Sequence, residues 1–101
     1  MFLVSEETNA ASTYMELILN SDHILKCNSD RPITWKSDSV ASLNFTTTST
    51  QIAEFETIYE SNLYIQNISN YHVGWYICMD KLNNHLKSVY IFINGIKLFI
   101  Y

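Results

Sequence analysis

The chain contains very little glycine and proline and no long hydrophobic run. Two glycines and one proline are present among 101 residues. A glycine-rich phosphate loop and a nucleophile elbow both need several glycines, because the backbone must turn sharply or approach a ligand closely there. The longest apolar stretch, residues 96–101, contains Lys97 and is far shorter than the ~20 residues that cross a bilayer. These absences argue against nucleotide-binding and hydrolase folds and against a membrane span in this segment.

Positive charge is scarce as well. Six Lys and Arg residues against ten Asp and Glu residues give a net charge of −4, and the sequence has no basic run. Such a chain lacks the phosphate contacts that supply most of the affinity for nucleic acids. We therefore expect no nucleic-acid partner.

The residues that could carry chemistry are dispersed. His23, His72 and His85 show no metal-ligand spacing, and two cysteines far apart in the sequence cannot complete a tetrahedral zinc site. Glu54 and Glu56 share one face of a predicted strand. A solvated face is favoured there over a catalytic pair, because general acid chemistry needs a desolvated carboxylate. We expect no catalytic residue, no metal and no cofactor.

The residues that are abundant favour one all-β domain. Hydrophobic residues make up 48% of the chain, charged residues 16% and aromatic residues 14%. This composition supports a packed core, and the length suits a single domain. Many isoleucines, threonines and aromatic residues favour strands over helices. We predict one domain over residues 1–101, with a core of about 14–95 and an exit strand at 96–101 leading to a further domain.

Short apolar or alternating runs separated by Ser, Asn and Asp clusters are typical of an antiparallel sandwich. The polar segment 37–50 is interpreted as a loop with at most one short edge strand. The predicted strands are 15–20, 23–27, 33–36, 51–55, 62–68, 74–80 and 86–94.

One set of residues identifies the type of sandwich. Cys27 ends one predicted strand, Trp35 lies on the next, and Cys78 follows Tyr76 on a later one. In an immunoglobulin-like sandwich the two cysteines bridge the sheets, the tryptophan packs on the sulfurs, and the tyrosine donates its hydroxyl to the backbone of a corner. We predict a two-sheet antiparallel immunoglobulin-like sandwich of I-set or C2-like type. Its core signature is Trp35, Leu63, Ile65 and Tyr76.

The cysteine pair also indicates a compartment. On the chain-entropy model, closing a loop of about 52 residues stabilises the fold by roughly 4 kcal/mol, and such a bond persists in an oxidising environment. Two candidate N-glycosylation sites, Asn44-Phe45-Thr46 and Asn67-Ile68-Ser69, agree with an extracellular or cell-surface glycoprotein. Reduced thiols, as in intracellular sandwiches of muscle-filament type, are the alternative.

The sequence resembles the membrane-distal first immunoglobulin domain of the platelet-derived and vascular endothelial growth factor receptor tyrosine kinases. The resemblance covers about residues 17–94. It rests on the short spacing from Cys27 to Trp35, on the stretch 63–69, which includes a sequon, and on the final strand 88–93. It implies a receptor ectodomain whose ligands are cystine-knot growth factors. In that family the second and third domains usually grip the growth factor, so the resemblance implies that this first domain assists or modulates ligand binding.

One position departs from the family's pattern. The corner of those domains usually reads Asp-x-Gly-x-Tyr-x-Cys, whereas this chain has His72 at the first position. The family's aspartate often pairs with an arginine near strand D, and the only arginine here is Arg31, in the loop between the second and third strands. We therefore expect the family's ion pair to be missing.

Strand parity predicts a candidate binding face. If Tyr76 and Cys78 point into the core, their neighbours on the strand point outward, and the same holds for alternate residues of the last strand. This outward set could bind a partner protein, or a loop, an N-terminal segment or a glycan could cover it. Besides the receptor hypothesis, an adhesion or immune-type module, or a soluble decoy, that binds another immunoglobulin domain is an alternative. The predicted face consists of Trp75, Ile77, Met79, Tyr90 and Phe92.

Overall fold

The computed structural model describes residues 11–94, which form seven strands and one short 3-10 helix, Asn70–His72. None of the helical structure in this range is long enough or apolar enough to cross a membrane. The exit strand predicted at 96–101 lies outside the described residues. The strands are β1 Ala11–Ile18, β2 His23–Ser29, β3 Ile33–Ser37, β4 Phe45–Ala53, β5 Glu56–Ile65, β6 Gly74–Asp80 and β7 His85–Asn94.

The strands form two sheets that are joined by a disulfide. One sheet has four strands in the order β1-β7-β6-β3, and the other has three in the order β2-β5-β4. Cys27 on β2 is bonded to Cys78 on β6, so the bond links the two sheets. This arrangement confirms the predicted all-β immunoglobulin-like sandwich with one inter-sheet disulfide.

The pairing of β1 departs from a purely antiparallel sandwich. β1 runs parallel to β7, whereas the other neighbouring pairs are antiparallel. The chain leaves β1 through a turn at Leu19–Asn20 and continues as β2 in the opposite sheet. β1 and β7 lie far apart in the sequence and are not joined by a hairpin, so the two strands can run parallel.

The core lies between the two sheets, and alternation along the strands fills it. In β2 and β3 the buried residues are spaced two apart, as a half-buried strand requires. The core cluster consists of Leu17, Leu25, Cys27, Ile33, Trp35, Leu63, Ile65, Ile68, Tyr76, Cys78, Val89 and Ile91.

The hairpin formed by β4 and β5 corrects the prediction for residues 37–68. β4 occupies residues 45–50 of the segment predicted as a loop, and residues 54–55, predicted as strand, form the turn. From Thr46 to Ala53 both faces of β4 are exposed, so burial imposes no alternation on its sequence. The apolar residues that suggested a strand lie at or beside the turn, where Ile52 is 58% and Phe55 92% exposed.

Candidate functional site

The link between the sheets includes a buried hydrogen bond beside the disulfide. Trp35 is 3% exposed, and its indole Nε1 donates to Oγ of Ser61 at 2.9 Å. Ser61 lies opposite Cys27 in the pairing of β2 with β5 and is fully buried. An indole N–H in a core needs such an acceptor, since leaving it unpaired is costly.

Ser61 was missed at the sequence level. Its hydroxyl donates to the carbonyl oxygen of Thr46 at 3.1 Å and accepts from Oγ1 of Thr47 at 3.1 Å, so it has partners for both roles. The predicted strand began one residue later, at 62, and this excluded the serine from the core. The signal that could have found it is spacing, because Ser61 precedes Leu63 by one alternation of the strand.

Tyr76 anchors the corner before β6. The side chain is 1% exposed, and its hydroxyl donates to the carbonyl oxygen of His72 at 2.7 Å. The phenol oxygen also lies 3.2 Å from Oγ of Ser39. Burial raises the pKa of this phenol, although hydrogen bonds with Ser39 and Ser37 oppose the effect in part. The hydroxyl therefore acts as a structural donor at neutral pH.

His72, at the position where the receptor domains that this sequence resembles usually carry aspartate, caps the 3-10 helix. Its Nδ1 accepts the backbone N–H of Ser69 at 3.0 Å, and the Ser69 hydroxyl accepts the N–H of Tyr71 at 3.3 Å. An aspartate at this position could accept the same N–H, because a carboxylate oxygen is an equally suitable acceptor. Histidine therefore provides at this position the same kind of capping acceptor that an aspartate would.

Arg31 pairs at the opposite end of the domain. Its guanidinium Nη1 lies 3.5 Å from Oδ2 of Asp80, whose side chain is 3% exposed. Oδ1 of Asp80 accepts the N–H groups of Leu82 at 2.9 Å and Asn84 at 3.0 Å, and Oδ2 accepts the Asn84 amide at 3.1 Å. Burial favours the neutral acid, but these donors together outweigh it and lower the pKa of Asp80.

The outer face of the four-stranded sheet carries a row of three aromatic rings. Tyr90 on β7 lies opposite Tyr14 on β1 and opposite Trp75 on β6. The ring centroids are 5.7 Å apart for Tyr14 and Trp75, 5.8 Å for Tyr14 and Tyr90, and 5.3 Å for Trp75 and Tyr90. These are favourable tilted and edge-on contacts. We call Tyr14, Tyr90 and Trp75 the aromatic row.

Two further residues of the predicted face flank the aromatic row. Phe92 is 36% exposed and lies opposite Glu16, while half-buried Ile77 lies opposite Lys36 on β3. The structure thus places four of the five predicted face residues on one surface. Tyr14 was missed, because the sequence does not reveal which strand β1 joins. It is 72% exposed, and its ring packs beside those of Trp75 and Tyr90.

Met79 does not belong to this exposed face. Its side chain is only 4% exposed, which corrects the expectation that it points to solvent. The register of β6 against β7 shifts between Cys78 and Met79, so that Met79 pairs with His85 on one side and Thr34 on the other. The pairing with β3 keeps its alternation, with Met79 opposite exposed Thr34, so Met79 stays on the outer side of β6 and is buried there.

The two sequons lie on exposed backbone away from the aromatic row. Asn44 directly precedes β4, and its carbonyl oxygen accepts the N–H of Tyr64 at 2.8 Å. Asn67 follows β5 with a φ of 51°, a left-handed conformation that asparagine tolerates. Both asparagines are exposed. Glycans at these positions would extend from the three-stranded sheet and the corner that follows it.

Candidate metal and catalytic groups do not converge. Within residues 11–94, no three His, Cys, Asp or Glu side chains are placed to hold a metal ion. Glu54 and Glu56 lie at the exposed end of the β4–β5 hairpin, one in its turn and the other beginning β5. His23, His72 and His85 lie on β2, in the 3-10 helix and on β7.

Fold and disulfide together define the chain as an immunoglobulin-like domain. No protein-family model matches the sequence, and no curated protein is significantly similar to it.

Proposed function

We propose that this domain is an extracellular protein-recognition module that binds a partner protein through the outer face of its four-stranded sheet. The observation that carries the proposal is the aromatic row, which is held in register across three strands yet remains partly open to solvent. Phe92 and Ile77 extend this face. Five apolar side chains of this size would form a patch of a few hundred Å², the size of patches that mark interaction sites on soluble proteins.

The physical form of the face suits protein binding. Tyrosine and tryptophan are enriched among the residues that dominate interface energies, because they bury a large area at a small cost in side-chain entropy. Ring contacts already fix Tyr90 and Trp75 in the free domain, so little ordering remains for the bound state. Glu16 and Lys36 lie at the edges of the face and provide a polar rim.

The compartment and the parent protein are part of the same proposal. The disulfide favours an oxidising, extracellular location, and exposed Asn44 and Asn67 would accept glycans there. On the resemblance described above, the parent is a cell-surface growth-factor receptor in which this non-catalytic domain assists or modulates binding of a cystine-knot growth factor. A neighbouring immunoglobulin domain of an adhesion or immune-type protein is the second candidate partner.

Replacement of Trp75 by glutamate tests the face. Trp75→Glu places a charge in the aromatic row, so we expect binding to weaken at least about tenfold while the unfolding midpoint changes little. Binding is measured by surface plasmon resonance against a panel of cystine-knot growth factors and immunoglobulin ectodomains. Thermal denaturation of the same samples reports stability.

Ile24→Glu is the matched control. Ile24 is 44% exposed on β2 and faces outward on the other sheet, so its replacement adds the same charge elsewhere. The proposal requires binding to survive this change. If Trp75→Glu unfolds the domain, or if both variants bind like the wild type, the four-stranded sheet is not the binding face.

A further inference from the structure

The strand β4 forms one edge of the three-stranded sheet. Within residues 11–94 it pairs with β5 alone, in the sheet order β2-β5-β4. An edge strand presents alternate backbone N–H and C=O groups that point away from its sheet, and these groups can pair with another strand. The pairing with β5 is regular from Phe45 to Gln51 and shifts between Gln51 and Ala53. A straight segment of seven residues is therefore available at the edge.

The residues of β4 lack the features that normally protect an edge. Proteins discourage edge pairing with lysines, prolines or inward-pointing charges. The sequence of β4, FTTTSTQIA, contains no charged residue and no proline, and every position after Phe45 is exposed. Four of its nine residues are threonines, which are favourable in strands. Only the register shift near its end resembles a protective device.

The same sequence is complementary to itself. When two copies of β4 lie antiparallel about a two-fold axis beside Ser49, Thr48 of each copy lies opposite Thr50 of the other. Both threonines are on the outward side of the strand, opposite Glu60 and Ile58 of β5. Threonine pairs directly opposite one another stabilise antiparallel strands, and no like charges meet on the edge itself. A two-fold arrangement also closes after two copies and does not continue into a fibre.

We infer that β4 is a strand-pairing site for a second copy of this chain, and that the two copies form one continuous six-stranded sheet. This interface is separate from the aromatic row, which lies on the other sheet. Affinity in such an interface comes mainly from backbone hydrogen bonds. Since the paired area is small, the dimer is a weak one, with a dissociation constant below about 1 mM.

The first experiment measures self-association of the full chain. Sedimentation equilibrium is run on protein from a host that adds no N-glycans, refolded with its disulfide, so that no glycan on Asn44 lies beside the edge. We expect a reversible monomer–dimer equilibrium. The double variant Thr48→Lys/Thr50→Lys should raise the dissociation constant at least about tenfold, because the introduced lysines face one another across the two-fold axis.

A matched control places the same change elsewhere. Thr13→Lys/Thr34→Lys adds two lysines at exposed positions on β1 and β3, the two edges of the four-stranded sheet. This variant should dimerise like the wild type. A wild type that stays monomeric at millimolar concentration overturns the inference, as does a dimer that is equally sensitive or insensitive to both double variants.

Hydrogen exchange on the wild type avoids reliance on variants. Amide protons of Thr46–Gln51 that point away from β5 should exchange more slowly at high protein concentration than at low concentration, while those of β1 and β3 should not change. If Trp75→Glu abolishes self-association and exchange in β4 is independent of concentration, the copies meet through the aromatic row. That result would overturn the edge interface and leave the proposed binding face in place.

Discussion

The outer faces of the two sheets differ in character, although both sheets contribute to one core. The face of the four-stranded sheet carries the aromatic row, whose rings contact one another. The face of the three-stranded sheet is largely polar, with Lys26 opposite Asn62 and Glu60 opposite Thr48. Inward positions must be apolar on both sheets, so they carry little information about function. The outward positions are free to vary, and their difference indicates how each sheet is used.

The two hairpins show a related contrast. The turn between β6 and β7 is held by the carboxylate of Asp80, which accepts hydrogen bonds from Leu82 and Asn84 and forms an ion pair with Arg31. In the turn between β4 and β5, Nε2 of Gln51 donates to the carbonyl oxygen of Glu54 at 3.1 Å, and neighbouring Phe55 is almost fully exposed. One hairpin is fixed by buried polar groups, and the other projects its backbone edge into solvent.

Loss of the disulfide should have the largest effect, because both faces depend on the sheets staying together. Cys27→Ala/Cys78→Ala should lower the free energy of unfolding by about 4 kcal/mol, since a long loop is no longer constrained in the unfolded chain. Urea denaturation followed by tryptophan fluorescence measures the change. A midpoint equal to that of the wild type would show that the hydrogen bond from Trp35 to Ser61 and the apolar core suffice without the disulfide.

Tyr76→Phe should have an intermediate effect. The change removes the hydroxyl that donates to the carbonyl oxygen of His72 and leaves that part-buried group unpaired, at a cost of about 1–3 kcal/mol. Thermal and urea denaturation measure it. Tyr14→Phe is the control, because Tyr14 is mostly exposed and its ring contacts would persist. Equal effects of the two substitutions would contradict the anchoring role of the corner.

The smallest expected effect is on the pH dependence of folding stability, through Asp80 in the β6–β7 turn. Because the pKa of Asp80 is lowered on folding, its contribution to stability is complete above the ordinary pKa of an aspartate and is lost as the pH falls through the lowered value. Asp80→Asn should be less stable than the wild type near neutral pH, and the difference should shrink as the pH falls below about 5.

Denaturation midpoints of both proteins across this range provide the test of Asp80. Asp38→Asn is the comparison variant. Like Asp80, Asp38 accepts a backbone N–H, that of Trp75 at 2.8 Å, but unlike Asp80 it is exposed. A difference between wild type and Asp80→Asn that does not change with pH would show that the charge of Asp80 does not hold the turn.

Much of the core could be predicted, because core positions follow from patterns between residues close together in the sequence. Alternation around Leu63 and Ile65 and the order of cysteines and tryptophan are visible in the sequence, and the disulfide follows from them. β4 could not be predicted in the same way, since no second sheet covers most of it and so its sequence has no apolar period. The burial of Met79 could not be predicted, because alternation gives the side of the strand on which a residue lies and not whether that side is covered.

The candidate face could be predicted only in part, because parity along one strand is local and the choice of a neighbouring strand is not. Trp75, Ile77, Tyr90 and Phe92 lie on two strands whose parity follows from Cys78 and Val89. Their combination with Tyr14 depends on β1 lying parallel beside β7, a contact between segments at opposite ends of the chain. No local pattern records which strand will become a neighbour.

The sequence by itself determined the fold class, the disulfide and the inward faces of most strands. These properties depend on the side chain at each position and on a period of two residues, which the linear order of amino acids states directly. Only the tertiary structure decided that Tyr14 joins Tyr90 and Trp75 and that, within residues 11–94, β4 is an edge strand. It also decided that Arg31 reaches Asp80. Such pairings join residues distant in sequence, and they are selected by how the two sheets pack as a whole.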